Sequence, residues 1–366
     1  MHLSWTFSRY LGLQFLIGIM IVFGGCLVLI FLVDLVELMR RAASHGDVAL
    51  RMLITMALFK LPNVAENALP FAVLFGSIWT FVRLTRSNEL VIARASGVSV
   101  WEFMAPAVVL VLFIGAFMIT VYNPLSSTLV GKFEQLENRY LRGATSMIAI
   151  KSTGFWLRQG TGDTQAVIHA DKVINAQKTL DLEGVTVQLY RNQDSYYGLL
   201  EAKTSVLASH MWHFTDATLT LRNGTPQHFD SYDLPTDLSA EQVRESFASP
   251  QTISFWQLPR FIALAKAAGF SALPHRLHWH AVLATPILLC AMVLVAATFS
   301  LRITRLGGVP QLAAAGIVTG FLLYFLSDVA NTLGTSGIIP IPLAAWSPSL
   351  VALSLGLAML FHLEDG

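Results

Sequence analysis

Leu11-Gly-Leu-Gln-Phe-Leu-Ile-Gly-Ile-Met-Ile-Val-Phe-Gly-Gly-Cys-Leu-Val-Leu-Ile-Phe-Leu-Val33 runs for 23 residues without a charge. A helix of that length rises roughly 34 Å, enough to cross the ~30 Å of hydrocarbon in a bilayer. Two more apolar runs of the same kind follow, Val64–Val82 and Val98–Tyr122, and then the character changes. From Pro124 to Pro274 the chain reads as an ordinary polar protein, after which Leu277–Phe299, Pro310–Ala330 and Ile338–Phe361 are again apolar. The pattern predicts a polytopic α-helical membrane protein, three helices on each side of one inserted extramembrane domain.

Composition agrees: 54% of residues are hydrophobic and only 13% charged, against about 25% charged in soluble domains. The formal net charge of +1 excludes a nucleic-acid partner, which needs a clustered basic surface. Both cysteines, Cys26 and Cys290, lie in apolar runs, so the polar domain folds without disulfides. Arg9 before an apolar stretch imitates a signal peptide, but that stretch is too long for an h-region of about 7–15 residues. Phe23-Gly-Gly-Cys26 imitates a lipoprotein cleavage site, yet Phe occupies the position three before the cysteine and the apolar run continues past it.

With six spans both termini share a side. Placing them in the cytoplasm puts Arg9, Arg83, Arg86, Arg94, Arg302 and Arg305 inside and Arg40, Arg41 and Arg51 outside, the bias expected of inner loops. The polar domain is then outside. Counting back ~20 residues from Arg83 starts the second helix near Pro62, where the missing N–H costs nothing. Residues 48–60 are then expected to lie along the outer surface, with Glu66 near the interface; an ion relay at Glu66 is the alternative.

The inserted domain reads as β. Gln165–Val173, Gly184–Tyr190 and Leu219–Leu221 alternate with a period of two, and Tyr197–Ala208 and Met211–Leu221 are further strand-length runs. Gln159–Asp163, Arg191–Asp194 and Arg222–Pro226 carry turn chemistry. Regularly spaced strands predict a small sandwich or jelly roll, and Asp237–Phe247 and Leu258–Ala268 are expected to be short amphipathic helices.

Motifs for catalysis are absent. Gly131-Lys132 lacks both the upstream glycine and the following Ser or Thr of a P-loop, and there is no H-E-x-x-H or Gly-x-Ser-x-Gly. Energy for work must therefore come from an ion gradient or another subunit. His275, His278 and His280 form one cluster, but no carboxylate or cysteine nearby completes a metal set; an interfacial girdle around Trp279 is the simpler reading, and no metal site is expected. Asp328 ends the fifth span at the outer interface, facing either a polar cavity or headgroups. Gly316-Ile-Val-Thr-Gly320 in that span, and Gly24 and Gly25 in the first, are small-residue surfaces suited to close helix contact.

The inner loop Arg83-Leu-Thr-Arg86-Ser-Asn-Glu89-Leu90-Val-Ile-Ala-Arg94-Ala-Ser-Gly97 has its own punctuation. Ser87 is expected to cap a short helix, Glu89 and Arg94 suit its first and last turns, and Gly97 closes it. Leu90, Val91 and Ile92 are expected to form an exposed apolar docking surface beside charges.

Leu69-Pro70, Arg86-Ser-Asn-Glu-Leu-Val91 and Ala95-Ser-Gly-Val98 resemble the YjgP/YjgQ permeases, the lipopolysaccharide export proteins LptF and LptG. Phe321-Leu-Leu-Tyr-Phe-Leu-Ser-Asp328, Ala344-Ala-Trp-Ser-Pro348 and His362-Leu-Glu-Asp-Gly366 are similar to the LptG branch. The resemblance covers essentially the whole chain. It implies a non-catalytic permease subunit of an ABC exporter in the bacterial inner membrane, without a cofactor of its own, ATP being bound by a partner ATPase. Residues 1–123 would hold three spans with a coupling helix at about 84–97, residues 124–274 a periplasmic β-jelly roll with flanking helices, and residues 275–366 the remaining spans. Implied partners are an LptF-like permease, an LptB-like ATPase dimer, an LptC-like single-span protein, an LptA-like periplasmic bridge and lipopolysaccharide itself. The coupling helix makes Arg83, Arg86, Glu89, Leu90 and Arg94 candidate ATPase contacts.

Relatives often carry lysine in the first helix, and Leu11–Val33 has none; Arg40, Arg41 and Asp328 are the substitute headgroup candidates. The family's lateral gate, between the first helix of one subunit and the fifth of the other, makes Gly24, Gly25, Gly316 and Gly320 candidate seam residues facing the partner. The competing reading is a mechanotransmission subunit that acts on periplasmic partners without moving lipid through itself. A membrane-embedded glycosyl- or acyltransferase would need an acid/base pair at one membrane face, and none is present.

Overall fold

The computed structural model describes residues 5–43, 48–142, 147–151, 154–161, 164–175, 179–191, 195–208, 210–222, 224–236, 238–239, 243, 249–267, 271–303 and 309–364. Most of the helix expected at Asp237–Phe247 lies outside them. The helices are α1 (Trp5–Ala42), α2 (Leu50–Arg86), α3 (Glu89–Ala95), α4 (Val100–Phe117), α5 (Asn123–Glu137), α6 (Leu258–Ala267), α7 (Leu273–Ile303), α8 (Val309–Thr335) and α9 (Ile341–Glu364). A π-helical turn, Met118–Tyr122, joins α4 to α5 without a break. Among the described residues six helical stretches are long and apolar enough to cross a membrane: Trp5–Ala42, Leu50–Arg86, Val100–Leu141, Leu273–Ser300, Ala314–Thr335 and Ile341–His362. The chain is thus a multi-pass membrane protein with an inserted β domain. It divides into two compact units, Met1–Phe133 with Leu277–Gly366, and Glu134–Arg276.

The second span departs from expectation. The helix does not start near Pro62; α2 is one helix of 37 residues with Pro62 and Pro70 inside it. Leu53, Met56 and Ala57 explain this, because all three are buried and their packing holds the helix ahead of the proline. Tertiary burial outweighs the ~3 kcal/mol that proline costs in a helix interior. Tyr122 Oη, at the end of the π turn, donates to the Pro62 carbonyl at 3.1 Å. Glu66 therefore sits well inside a helix rather than at its start, beside the buried Asn123 and Ser126.

α1 lies against α2 at a crossing made by small residues. A Cβ on Gly76 would stand 2.6 Å from Ile19 Cα and 3.0 Å from Gly18 C, and a Cβ on Gly18 would strike Thr80 Oγ1. Thr80 Oγ1 in turn donates to the Gly76 carbonyl at 2.8 Å. Further along, Lys60 Nζ meets Asp34 Oδ1 at 2.7 Å. A similar close approach brings Gly115 of α4 against Pro286 of α7, where a Cβ on Gly115 would stand 2.8 Å from Pro286 Cα.

Among its described residues the polar unit carries seven antiparallel strands, β1 (Met147–Lys151), β2 (Gly154–Thr161), β3 (Thr164–Asn175), β4 (Leu180–Arg191), β5 (Ser195–Ala208), β6 (Met211–Leu221) and β7 (Gln227–Pro235). They hydrogen-bond in chain order through one sheet, a meander. The alternation of buried and outward residues slips by one in five successive strands. In β4 the buried positions are Leu180 and Leu182, then Val185, Val187 and Leu189; in β5 they are Gly198, Leu200 and Ala202, then Ser205 and Leu207; in β6 they are Trp212 and Phe214, then Ala217. β3 and β7 slip likewise, after Ala170 and after Phe229. Two successive outward residues turn a strand around its buried side, so one sheet closes a core against itself. That core joins Leu157, Ile168 and Val187 to Leu180, Trp212 and Phe214, with Ala265 of α6 added.

Candidate coupling loop and outer polar residues

The inner loop is the most locally determined part of the molecule. α2 stops at Arg86, where Ser87 N–H bonds to the Arg83 carbonyl at 3.0 Å. Asn88 then takes φ 58°, a left-handed conformation that Asn tolerates better than most residues. Its carbonyl accepts the Ile92 N–H at 3.0 Å and so begins α3. Gly97, at φ +85°, ends α3, and the Val98 N–H reaches back to the Ala93 carbonyl at 3.2 Å, a Schellman closure. The next span starts in a capping box: Ser99 accepts from Glu102 N–H while Glu102 accepts from Ser99 N–H. Ser99-Val-Trp-Glu102 carries the signal of that box in the sequence itself.

Ser87 plays a different part from the cap expected of it. It closes α2, and its hydroxyl donates to Glu89 Oε1 at 2.8 Å. The same carboxylate oxygen accepts from Tyr10 Oη of α1 at 3.3 Å, so Glu89 is held between two donors. The apolar residues of α3 divide. Leu90 is buried, together with Ala93, in the helical core, whereas Ile92 is 66% exposed. Leu90 therefore anchors the loop rather than offering itself to a partner, because a seven-residue helix has too few contacts to hold its place unless one side is buried. Arg83 and Arg86 are exposed; the side chain of Arg94 lies outside the described residues.

At the other end of α1, Arg40 and Arg41 converge on one carboxylate. Arg40 Nε is 2.9 Å from Glu37 Oε2 and Arg41 Nε 2.7 Å from Glu37 Oε1. Asp328 is exposed on α8, its carbonyl accepting from Thr332 Oγ1 at 2.9 Å. The histidines have separate partners: His275 packs tilted against Phe261 with ring centroids 4.7 Å apart, and His280 Nδ1 accepts from Trp346 Nε1 at 3.4 Å.

The small-residue surfaces also part company. Nothing lies within 4 Å of a Cβ built on Gly24 or Gly25, which face open space. Gly316 and Gly320 instead pack inside this chain, against Phe75 and Ile78 and against Phe71 of α2, at 2.9–3.1 Å from a built Cβ. Their expected role as a surface facing a partner is corrected; the outward side of α8 is Ile317, Phe321 and Phe325, each at least 58% exposed. Large apolar side chains prefer lipid or another protein, while glycines let α8 approach α2 closely.

In the β unit, a cleft of about 460 Å³ opens on the outward side where the strands slip, lined by His169, Asp171, Glu201, Lys203, Asp216 and Thr218. The paired outward residues at each slip are the signal that would have located it.

The chain is 22% identical over 363 residues to the lipopolysaccharide export system permease protein LptG of Haemophilus influenzae, covering 94% of this chain and 95% of that one. It is 21% identical over 357 residues to the LptG protein of Escherichia coli K12, covering 93% and 94%. Residues 9–362 match the family described as lipopolysaccharide export system permease LptF/LptG. Six spans in two sets of three, a β domain between them, a short capped helix on the loop after the second span and a match from one end to the other make this chain a member of the LptF/LptG permease family.

Proposed function

We propose that this chain is the LptG-type subunit of an ABC exporter in the bacterial inner membrane, drawing lipopolysaccharide from the membrane and handing it to a periplasmic bridge. It works beside an LptF-like permease and an LptC-like single-span protein, and passes lipid towards an LptA-like protein. An LptB-like ATPase dimer binds and hydrolyses the ATP; this subunit catalyses nothing. Residues 83–97 face the cytoplasm and the β domain the periplasm, in line with the arginine bias of the short loops.

The observation that carries this reading is α3: a short helix fixed by Leu90, with Glu89 in its first turn and Ile92 outward, following the exposed Arg83 and Arg86 at the end of α2. Such an element transmits motion from a docked protein because it is tied into the spans by both ends. Arg40 and Arg41 are the candidate headgroup contacts, exchanging Glu37 for lipid phosphate, and Asp328 is the third. The lateral seam runs along the open side of α1 at Gly24 and Gly25 and the apolar outward side of α8.

Glu89→Ala tests the coupling role. Losing a charge-assisted hydrogen bond costs about 1.5–3 kcal/mol, so copurification of the ATPase should fall roughly ten- to hundredfold in affinity, or export should stop with the ATPase still bound. Glu89→Gln, which still accepts from Ser87 and Tyr10, separates loss of the loop's own geometry from loss of the charge. Normal assembly and normal export in Glu89→Ala would end this reading of the loop.

A further inference from the structure

The slips in the β unit fall on one line. Asp171, Gly184, Lys203, Asp216 and Asp230 stand directly across from one another on β3 to β7, and the ladder omits all of them. Pairing runs Ala170↔Val185 then Lys172↔Glu183, Val185↔Ala202 then Glu183↔Thr204, Ala202↔Ala217 then Thr204↔Thr215, and Ala217↔Phe229 then Thr215↔Ser231. Register is the same on both sides, so no residue has been inserted; the row itself is unpaired across four strand junctions. Two of its members are left-handed, Gly184 at φ 65° and Asp216 at φ 58°. A Cβ on Gly184 would stand 2.9 Å from Asp171 Cγ, so only glycine lets the strands bend there.

The row divides the sheet into two leaves. One holds β2 with 164–170, 185–191, 195–202 and 217–221; the other holds 172–175, 180–183, 204–208, 211–215 and 231–235. Their buried sides share one apolar cluster, and a buried polar group crosses between them. Gln159 Oε1, on β2 in the first leaf, accepts from Trp212 Nε1 at 3.0 Å and from Thr236 Oγ1 at 2.8 Å. Trp212 is on the second leaf, and Thr236 is tied to that leaf's end by its N–H bond to the His210 carbonyl at 3.1 Å. All three side chains are buried, Trp212 fully.

We propose that the β domain opens as two leaves about the row from Asp171 to Asp230, and that Gln159 is the latch holding them closed. Regular ladder pairing stiffens each leaf along its width, and the row interrupts that pairing at four junctions, so bending concentrates there. Apolar contact between the leaves is non-directional and permits graded separation. The two hydrogen bonds on Gln159 do not: they are made in the closed state, and water replaces them only once the leaves part. The device is independent of the transport reading, because it follows from the domain's own pairing.

The test uses the full chain in lipid nanodiscs, with Cys26 and Cys290 replaced by alanine and spin labels on Leu221→Cys in the first leaf and Ile174→Cys in the second. Both positions are exposed. Trp212→Phe with Thr236→Val removes both donors; valine keeps the shape of threonine, while phenylalanine is smaller than the buried indole, which makes Thr236→Val alone the shape-matched variant. A second, longer distance should then appear, several-fold more populated than in the parent, with Thr236→Val alone intermediate. Hydrogen exchange of the parent supplies the independent measurement: amides of Asp171, Lys203, Asp216 and Asp230 should exchange at least roughly tenfold faster than those of Val187, Leu200 and Leu207. An unchanged distance in the double variant, row amides as protected as leaf amides, or a uniform rise in exchange across both leaves would each overturn the proposal.

Discussion

Replacing Gly76 by alanine adds one methyl group where α1 and α2 touch backbone to backbone. The new Cβ would lie 2.6 Å from Ile19 Cα, about 0.8 Å short of ordinary contact, and its neighbours on α1 are main-chain atoms that cannot rotate away. The helices must separate by most of that amount along the crossing. A gap of 0.5–1 Å forfeits a quarter to a half of each dispersion contact it opens, and overpacking in a close-packed interior costs about 1–3 kcal/mol. Gly76→Ala should therefore destabilise by about that amount, although alanine alone favours a helix by about 1 kcal/mol over glycine. Gly24→Ala is the matched control, since nothing lies within 4 Å of its added carbon; it should be neutral or slightly stabilising. Thermal unfolding in detergent, followed by the monodisperse fraction on size exclusion and by steric trapping in bicelles, compares the two. Equal losses in both variants would refute the argument that the crossing, rather than glycine's general flexibility, matters.

Orientation is checked by single cysteines at Ser87→Cys and Ser195→Cys in a background without Cys26 and Cys290. A membrane-impermeant thiol reagent applied to spheroplasts should label Ser195→Cys and spare Ser87→Cys, and the opposite result would invert the topology. Gly320→Leu, placed against Phe71 at 3.1 Å from the built Cβ, should lower the stability of the helical unit by about 1–3 kcal/mol. Gly25→Leu, facing open space, should leave folding intact and disturb only association with the partner permease. Loss of folding in Gly25→Leu with none in Gly320→Leu would reverse the assignment of the two surfaces.

Much of this protein was legible in its residues because hydrophobic length and turn chemistry are local properties. Six apolar runs, one polar insert, and Gly97 closing a short helix follow from composition and from the left-handed conformation that only glycine adopts freely. Even the two-leaf sheet is written there, as Leu180, Leu182 and then Val185, Val187, Leu189. Each slip alone reads as an irregular strand, and only the register shows five of them in one row. The tertiary structure alone decided the rest. Pro62 looked like a helix start until Leu53, Met56 and Ala57 proved buried ahead of it. Gly316 and Gly320 looked like a surface for a partner until α2 occupied it, and Leu90 looked exposed until the spans enclosed it. An apolar or small residue states that it needs a neighbour, but not which one: burial energy has no direction along the chain, and the partner is chosen by which helices pack together.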